Sequence, residues 1–234
     1  MTGSSIHFTQ INLHNSKNAL AVLARSMAAM HTGIAIIQRS WIVKGAIKEL
    51  GSCGKLYKAE TTDEITACII TKGNDATLLP QFRCGDLVVI QLKIKQGNGI
   101  GSDMIVGSLY LSHDLRDLPP QEKLKRLVTH VKDGRLELLL GCDAKSHHEV
   151  WGRIDINSRG ESLMDFITDT EMHIMNTGTE PPFLNSRRQE IIDITNCIQG
   201  MTNLVRDWRV SSEPSGSDHR QICFTLHQIH LKAK

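Results

Sequence analysis

Apolar residues in this chain recur in two rhythms, and the rhythm changes where turn-forming residues intervene. From Ile6 to Leu13 apolar and polar positions alternate, which predicts a half-buried strand. Asn15 or Ser16 can cap a helix with Leu20, Leu23, Ala24, Met27 and Met30 inward, and Gly33 is placed to end it. The unbroken run Ile34-Ala35-Ile36-Ile37 suits a strand covered on both faces. Further strands are expected over 65–71, 87–94 and 104–111, with a loop over 97–102. Pro119-Pro120 introduces a second amphipathic helix carrying Leu124, Leu127, Val128 and Val131, which Gly134 is placed to stop. Leu136 to Leu140 reads as another buried strand, and Glu161 to Thr168 as a third helix with Leu163, Phe166 and Ile167 inward. The last strands fall over 191–196 and 221–228, with Ile222, Phe224 and Leu226 on one face. Helices and strands interleave without a Pro/Gly/Ser-rich linker or a repeat, so one α/β domain over 1–234 is the simplest account.

Composition narrows this picture in a few places. With 40% hydrophobic but only 4% aromatic residues, the core must rest on Ile, Leu, Val and Met. A net charge of +2 does not by itself argue for nucleic-acid binding, although a local basic patch would escape such a sum. No apolar stretch approaches the ~18 residues of a membrane-spanning helix. The N-terminus lacks the basic start and apolar block of a secretion signal. The cysteines Cys53, Cys68, Cys84, Cys142, Cys197 and Cys223 include no C-x-x-C pair, and four of them (68, 142, 197 and 223) sit among apolar residues. Buried free thiols in a reducing compartment are expected, and no zinc site.

The chemistry concentrates where apolar runs end. Leu138-Leu139-Leu140 leads into Gly141-Cys142-Asp143-Ala144-Lys145-Ser146-His147-His148, as a buried strand would deliver an acid to a catalytic edge. Ser217-Asp218-His219-Arg220 is a second such place, and Asn12, Gln38-Arg39, Tyr110 and Asp193 also follow strands. A carboxylate can fix a histidine tautomer and stabilise its protonated form. Neighbours on a strand point to opposite faces, so Asp193 is a freer partner for His219 than Asp218 is. The bland alternatives are a surface turn at 217–219 and a solvated strand end at Asp143. Adjacent histidines rarely face one ion, so His147 and His148 read as polar or DNA-facing. There is no G-x-S-x-G, no Walker loop and no H-E-x-x-H, which favours an activated water over a covalent intermediate. Hard oxygen ligands such as Asp143 and Asp218 point to Mg²⁺ rather than zinc.

An ordered set of short motifs then spans nearly the whole chain. It comprises Gln10-Ile11-Asn12-Leu13, Ile37-Gln38-x-x-Trp41, Ser108-Leu109-Tyr110, Gly141-Cys142-Asp143-Ala144-x-Ser146-His147-His148-x-x-Trp151-Gly152, Asn157-x-Arg159-Gly160, Ile192-Asp193-Ile194-Thr195 and Ser217-Asp218-His219-Arg220. Each is weak alone, but together they resemble the endonuclease domain of non-LTR retrotransposons, of the jockey-like or insect target-specific type. That domain belongs to the endonuclease/exonuclease/phosphatase superfamily, with apurinic endonucleases and DNase I. The resemblance implies a four-layer αββα sandwich of two mixed, mostly antiparallel sheets. It implies Mg²⁺-dependent hydrolysis of a DNA phosphodiester, leaving a 3′-hydroxyl to prime reverse transcription. By the same match Asn12 and Asp218 would hold Mg²⁺, and Asp143 would position or deprotonate the water. Tyr110 and His219 would contact the scissile phosphate, with Asp193 orienting His219. Ser146, His147, Arg159, Arg187 and Arg188 would face double-stranded DNA. A nuclear location, no membrane and a reverse transcriptase segment downstream are also implied.

Two departures matter. The family's Gln-Glu-Pro-Trp is Gln38-Arg39-Ser40-Trp41 here, so Arg39 stands at the place of a glutamate metal ligand. The family's Asp-x-Asn is Asp143-Ala144-Lys145, so Lys145 replaces an asparagine that binds phosphate or nucleophile. The expectation is that Arg39 pairs with Asp218 or Asp143 in place of the metal charge. Mg²⁺ binding is then weakened or lost, and the reaction is slowed roughly a thousandfold or more. The alternative is a non-catalytic DNA-binding module using Lys145, Arg153, Arg159, Arg187, Arg188 and Arg220. A phosphatase of the same superfamily is disfavoured by the Trp151-Gly152 and Asn157-x-Arg159-Gly160 matches.

Overall fold

The computed structural model describes residues 5–30, 33–47, 50–59, 65–73, 75–96, 101–113, 117–227 and 229–231. In chain order the strands begin with β1 (Ile6–Asn12), β2 (Gly33–Gln38), β3 (Lys55–Lys58), β4 (Ala67–Lys72) and β5 (Ala76–Leu78). They continue with β6 (Leu87–Gln96), β7 (Gly101–Tyr110), β8 (Glu137–Asp143), β9 (Met172–Ile174) and β10 (Phe183–Leu184). The last are β11 (Gln189–Glu190), β12 (Asp193–Ile198), β13 (Val205–Val210), β14 (Ile222–Leu226) and β15 (Ile229–Leu231). The helices are α1 (Lys17–Ala29), α2 (Glu122–Gly134) and α3 (Ser158–Asp169).

One sheet runs β13-β14-β1-β2-β4-β3 and the other β15-β6-β7-β8-β12-β9, with β5 also on β6. The β1–β2 and β7–β8 pairs are parallel and the other pairings described within these sheets antiparallel, so both sheets are mixed. Three apolar clusters set the layers. Phe8, Ile34, Ile36 and Ile69 meet Val88, Ile90, Val106 and Leu139 between the sheets. Leu20, Leu23 and Met27 of α1 cover Ile11, Ile37 and Ile70 on the outside of the first sheet. Leu124, Leu127 and Val131 of α2, with Leu163 and Ile167 of α3, cover Leu138 and Leu140 on the outside of the second. The result is the expected four-layer αββα sandwich.

Polar side chains cross the seam between the sheets and fix their register near one edge. Gln10 donates to the carbonyls of Cys142 (3.4 Å) and Ile194 (3.2 Å), and its oxygen accepts from the Thr195 hydroxyl (2.8 Å). Gln38 donates to Ser108 Oγ (3.1 Å) and the Gly141 carbonyl (3.2 Å). A Cβ at Gly141 would lie 2.7 Å from Ile36 Cγ2 and 2.8 Å from Gln10 Oε1, so only glycine lets the sheets approach there.

Several local expectations need correction. Ser16, not Asn15, caps α1, accepting from Ala19 N at 3.2 Å. Gly33 does not end α1; the helix stops at Ala29, Met30 turns extended, and Gly33 opens β2. Gly134 is still helical, and Arg135 takes the left-handed position (φ 49°). Asn157 caps α3 through Gly160 N (2.8 Å), starting the helix at Ser158 rather than Glu161. Of the expected loop over 97–102, Gly101 and Ser102 open β7, while 97–100 lie outside the described residues, as does Gln228. All six cysteines are free; Cys84 and Cys223 are only half-buried, while burial pushes the Cys68 and Cys197 thiols up to about 12. Among the described residues no helix is long and apolar enough to cross a membrane.

Candidate active site

Register brings the strand ends together. Parallel pairing sets Asn12 beside Gln38 and Tyr110 beside Asp143. Antiparallel pairing of β12 with β8 sets Asp193 directly across from Asp143. The segment before β14 joins through a bridge between Phe183 and His219, and Ser217 Oγ donates to the Asn12 carbonyl (2.8 Å). Side chains from both sheets therefore share one edge. Backbone strain marks it too: His14, Asn15, Arg39 and Lys145 all have φ between 46° and 54° without being glycine.

Two buried acids organise the chemistry. Asp193 Oδ2 lies 2.6 Å from His219 Nδ1, and both are almost wholly buried. Burial alone would lower the His219 pKa, but Asp193, by charge and by hydrogen bond, and Asp143 outweigh it and raise it. Asp143 is completely buried; its pKa is raised by burial and by Asp193, against the opposing pull of Lys145 and His219. Its Oδ2 accepts from Asn12 Nδ2 (2.5 Å) and faces the Lys145 ammonium (3.1 Å). Asp143 Oδ1 and Asp193 Oδ1 are buried with no protein donor, which leaves each able to accept from a water.

Catalytic candidates Asp143, Asp193, His219, Tyr110 and Lys145 thus gather as the sequence suggested, but the DNA-facing set divides. Ser146 is buried and its hydroxyl turns back to donate to the Ala144 carbonyl (2.8 Å). Arg159 is buried too, donating to the carbonyls of Lys145 (3.2 Å), Leu111 (3.2 Å) and Ser112 (3.1 Å). It ties α3 to the strand edge. His147 pairs with Asp155 (2.7 Å) and lines a cavity of about 310 Å³ shared with Lys145, Asn157, Phe183, Arg188 and Ile192. Arg187 and Arg188 are exposed on the β10–β11 hairpin, whose turn Asn185 Oδ1 holds by accepting from both backbone amides (2.9 Å each). Arg153 and Arg220 are engaged by Asp155 (2.6 Å) and Glu180 (3.0 Å).

Arg39 departs from expectation as well. Among the described residues it pairs with neither Asp143 nor Asp218. Its guanidinium lies over the Tyr110 ring (5.9 Å) and donates to the Asn15 amide oxygen (3.1 Å). Lys145 supplies the cation on Asp143, and His14 faces Asp218 (3.4 Å). Burial and then Arg39 lower the His14 pKa. Sequence reasoning missed His14 and Phe183, whose ring meets His219 edge-on at 4.9 Å. The position of His14 two residues past Asn12 was the available signal.

The resemblance also implies a divalent metal, and the donors fit it poorly. Asp143, Asp193 and His219 each offer a ligand atom within 4.8 Å of one another, a group that could hold a metal. Yet Asp193 and His219 already share a hydrogen bond, and Lys145 sits on Asp143. At the expected Mg²⁺ seat, Asn12 Oδ1 accepts from His14 N (2.7 Å), Asp218 faces His14, and position 39 is a cation. Hard cations require free oxygens and excess negative charge; at that seat the Asn12 amide oxygen is taken and Arg39 offsets the charge of Asp218.

An αββα sandwich with an Asp–His pair facing a second buried Asp at one strand edge defines the endonuclease/exonuclease/phosphatase superfamily. The endonuclease-reverse transcriptase family model matches residues 104–223, which is half of the chain, and the chain belongs to that family. Among solved structures it is similar to the endonuclease domain of TRAS1, a telomere-specific non-LTR retrotransposon. The identity is 25% and the TM-score 0.76, covering 94% of this chain and 98% of that one. The Xenopus laevis APE2 catalytic domain matches at 10% identity and TM-score 0.70 (97% and 93% covered). The Leishmania major AP endonuclease LMAP matches at 12% and 0.68 (95% and 88% covered). These last two share the fold. No curated protein sequence matches.

Proposed function

We propose that this chain is the DNA phosphodiester-hydrolysing domain of a retroelement, with its cleavage step slowed by Lys145 and Arg39. The observation that carries the reading is the Asp193–His219 hydrogen bond (2.6 Å) opposite buried Asp143 at one open edge. In the reaction, His219 and Tyr110 hold the scissile phosphate while a water accepted by Asp143 Oδ1 attacks phosphorus. The water's proton passes to Asp143, the P–O3′ bond breaks, and the departing oxygen takes a proton from solvent, leaving 3′-hydroxyl and 5′-phosphate ends. A raised Asp143 pKa makes it a better proton acceptor. Lys145 and Asn12 on its other oxygen work the opposite way. In a full-length element the nick would form in the nucleus and prime a downstream reverse transcriptase.

The ammonium on Asp143 also favours a second reading, duplex binding without cleavage. Nicking of supercoiled plasmid with Mg²⁺ distinguishes the two. The unaltered chain is expected to nick slowly, and Arg39→Glu/Lys145→Asn about 10²–10³-fold faster, corresponding to several kcal/mol of restored charge stabilisation. Equal rates for the two proteins would defeat the slowed-enzyme reading. Binding by a chain in which neither protein nicks would leave the second.

A further inference from the structure

The acids of the pocket are each already engaged. Asp193 holds His219, Asp143 holds Asn12 and Lys145, and Asp218 faces His14. The cations are less fully committed. Arg39 gives a hydrogen bond to Asn15 and otherwise lies across the Tyr110 ring, and Lys145 rests between Asp143 and the Phe183 ring (5.6 Å). Both follow the ends of strands, β2 and β8, and both take left-handed backbone (φ 46° and 47°). Tyr110, under Arg39, is the β7 partner of Asp143, on which Lys145 sits, so the two cations flank one mouth at the strand edge.

Such a mouth suits an oxyanion. A guanidinium offers a planar pair of donors to two phosphate oxygens, and an ammonium offers a compact third. We propose that this pocket holds a phosphodiester without a divalent metal, with Arg39 and Lys145 as fixed cations where an ion's charge would otherwise be needed. Tyr110 orients Arg39 from beneath, and Phe183 does the same for Lys145. The inference rests on the reading of DNA as ligand, but concerns how the phosphate is held rather than whether it is cut.

Anisotropy of a fluorescein-labelled duplex tests it with the whole chain, in EDTA and in Mg²⁺. The unaltered chain is expected to bind equally, within about twofold, in both buffers. Arg39→Gln and Lys145→Gln, which keep most of the stem at half-buried sites, should each weaken binding in EDTA about tenfold, as expected for a lost charge-assisted bond. Arg39→Glu/Lys145→Asn should bind in Mg²⁺ and lose at least about tenfold in EDTA. The two glutamine variants keep the test decisive if the double variant fails to fold. If the unaltered chain needs Mg²⁺ to bind, or binds as well with either glutamine, the inference is overturned while the DNA reading stands. If it binds duplex in neither buffer, the DNA reading itself fails and the inference falls with it.

Discussion

His219 is held by opposed forces, and their balance sets a pH dependence. Burial lowers its pKa, Asp193 and Asp143 raise it, and the net shift is upward from 6.5. A histidine that binds its proton more tightly folded than unfolded stabilises the fold fully below 6.5. That stability is lost as pH rises through the folded pKa. Asp193→Asn leaves burial dominant, so this contribution should reverse: stability then grows as pH climbs toward 6.5 and levels off above it. Urea unfolding of both proteins from pH 5.5 to 8.5 reads the difference, and parallel curves would exclude the pair as its source. Asp143 has the same sign in a lower window: its raised carboxyl pKa means that stability falls as pH climbs above 3.8. At neutral pH the buried carboxylate therefore works against the fold. Asp143→Asn should unfold about 1 kcal/mol later in denaturant, as substitutions at strained functional sites do; a less stable variant would contradict this. The meeting of Asp193 with His219 was legible in the sequence, although Asp218 and His219 lie in the bend before β14 rather than within a strand. The direction of Arg39 was not, because it depends on a left-handed φ and on the Tyr110 ring, neither of which a strand-end pattern specifies. Ser146 looked ligand-facing but turns back onto the Ala144 carbonyl, and Arg159 did because its direction is decided by where α3 docks.

That docking depends on one position. A Cβ at Gly160 would lie 1.8 Å from the His147 carbonyl oxygen, a backbone atom that cannot swing aside. Asn157 bridges the same contact, capping α3 through Gly160 N (2.8 Å) and accepting from His147 N (3.2 Å). Gly160→Ala should thus push α3 off the 144–148 segment, destabilising the protein by about 3 kcal/mol and moving Lys145 with it. Thermal unfolding and duplex binding should both suffer; wild-type values for both would show that the segment adapts. The helices and long strands were readable from periodicity, because α1, α2 and α3 each bury one apolar stripe. The short strands β3, β5, β9, β10, β11 and β15 were not, since two to four residues carry too little period and take their structure from a neighbouring edge, and the charged residues of β13 hid its alternation. Gly33 and Gly134 misled as stop signals because Met30 ends α1 in extended backbone and Arg135 supplies the left-handed turn after α2.

At the scale of the molecule, two sheets packed face to face bring residues from both halves of the chain to one edge, and the β10–β11 hairpin rises beside it. The net charge of +2 conceals how uneven that edge is. Arg153 and Arg220 are paired with acids, so they contribute little to attracting a polyanion. Arg187 and Arg188 stand exposed on a turn that Asn185 has already ordered, and among the described residues only Arg188 has an acid nearby, Glu190 at 3.7 Å. A preordered turn loses little entropy on binding, so its cations should make phosphate contacts rather than sweep through solvent. Each such contact releases counterions and steepens the fall of log K with log salt by about 0.9. Arg187→Ala/Arg188→Ala should therefore flatten that slope by between about 0.9 and 1.8, according to how far Glu190 retains Arg188. Affinity should fall on all duplex sequences alike, because phosphates carry no base identity. Anisotropy titrations from roughly 50 to 200 mM salt span the range where such contacts dominate. An unchanged slope would place the hairpin outside the interface and leave Arg39 and Lys145 to bear the electrostatics of binding alone.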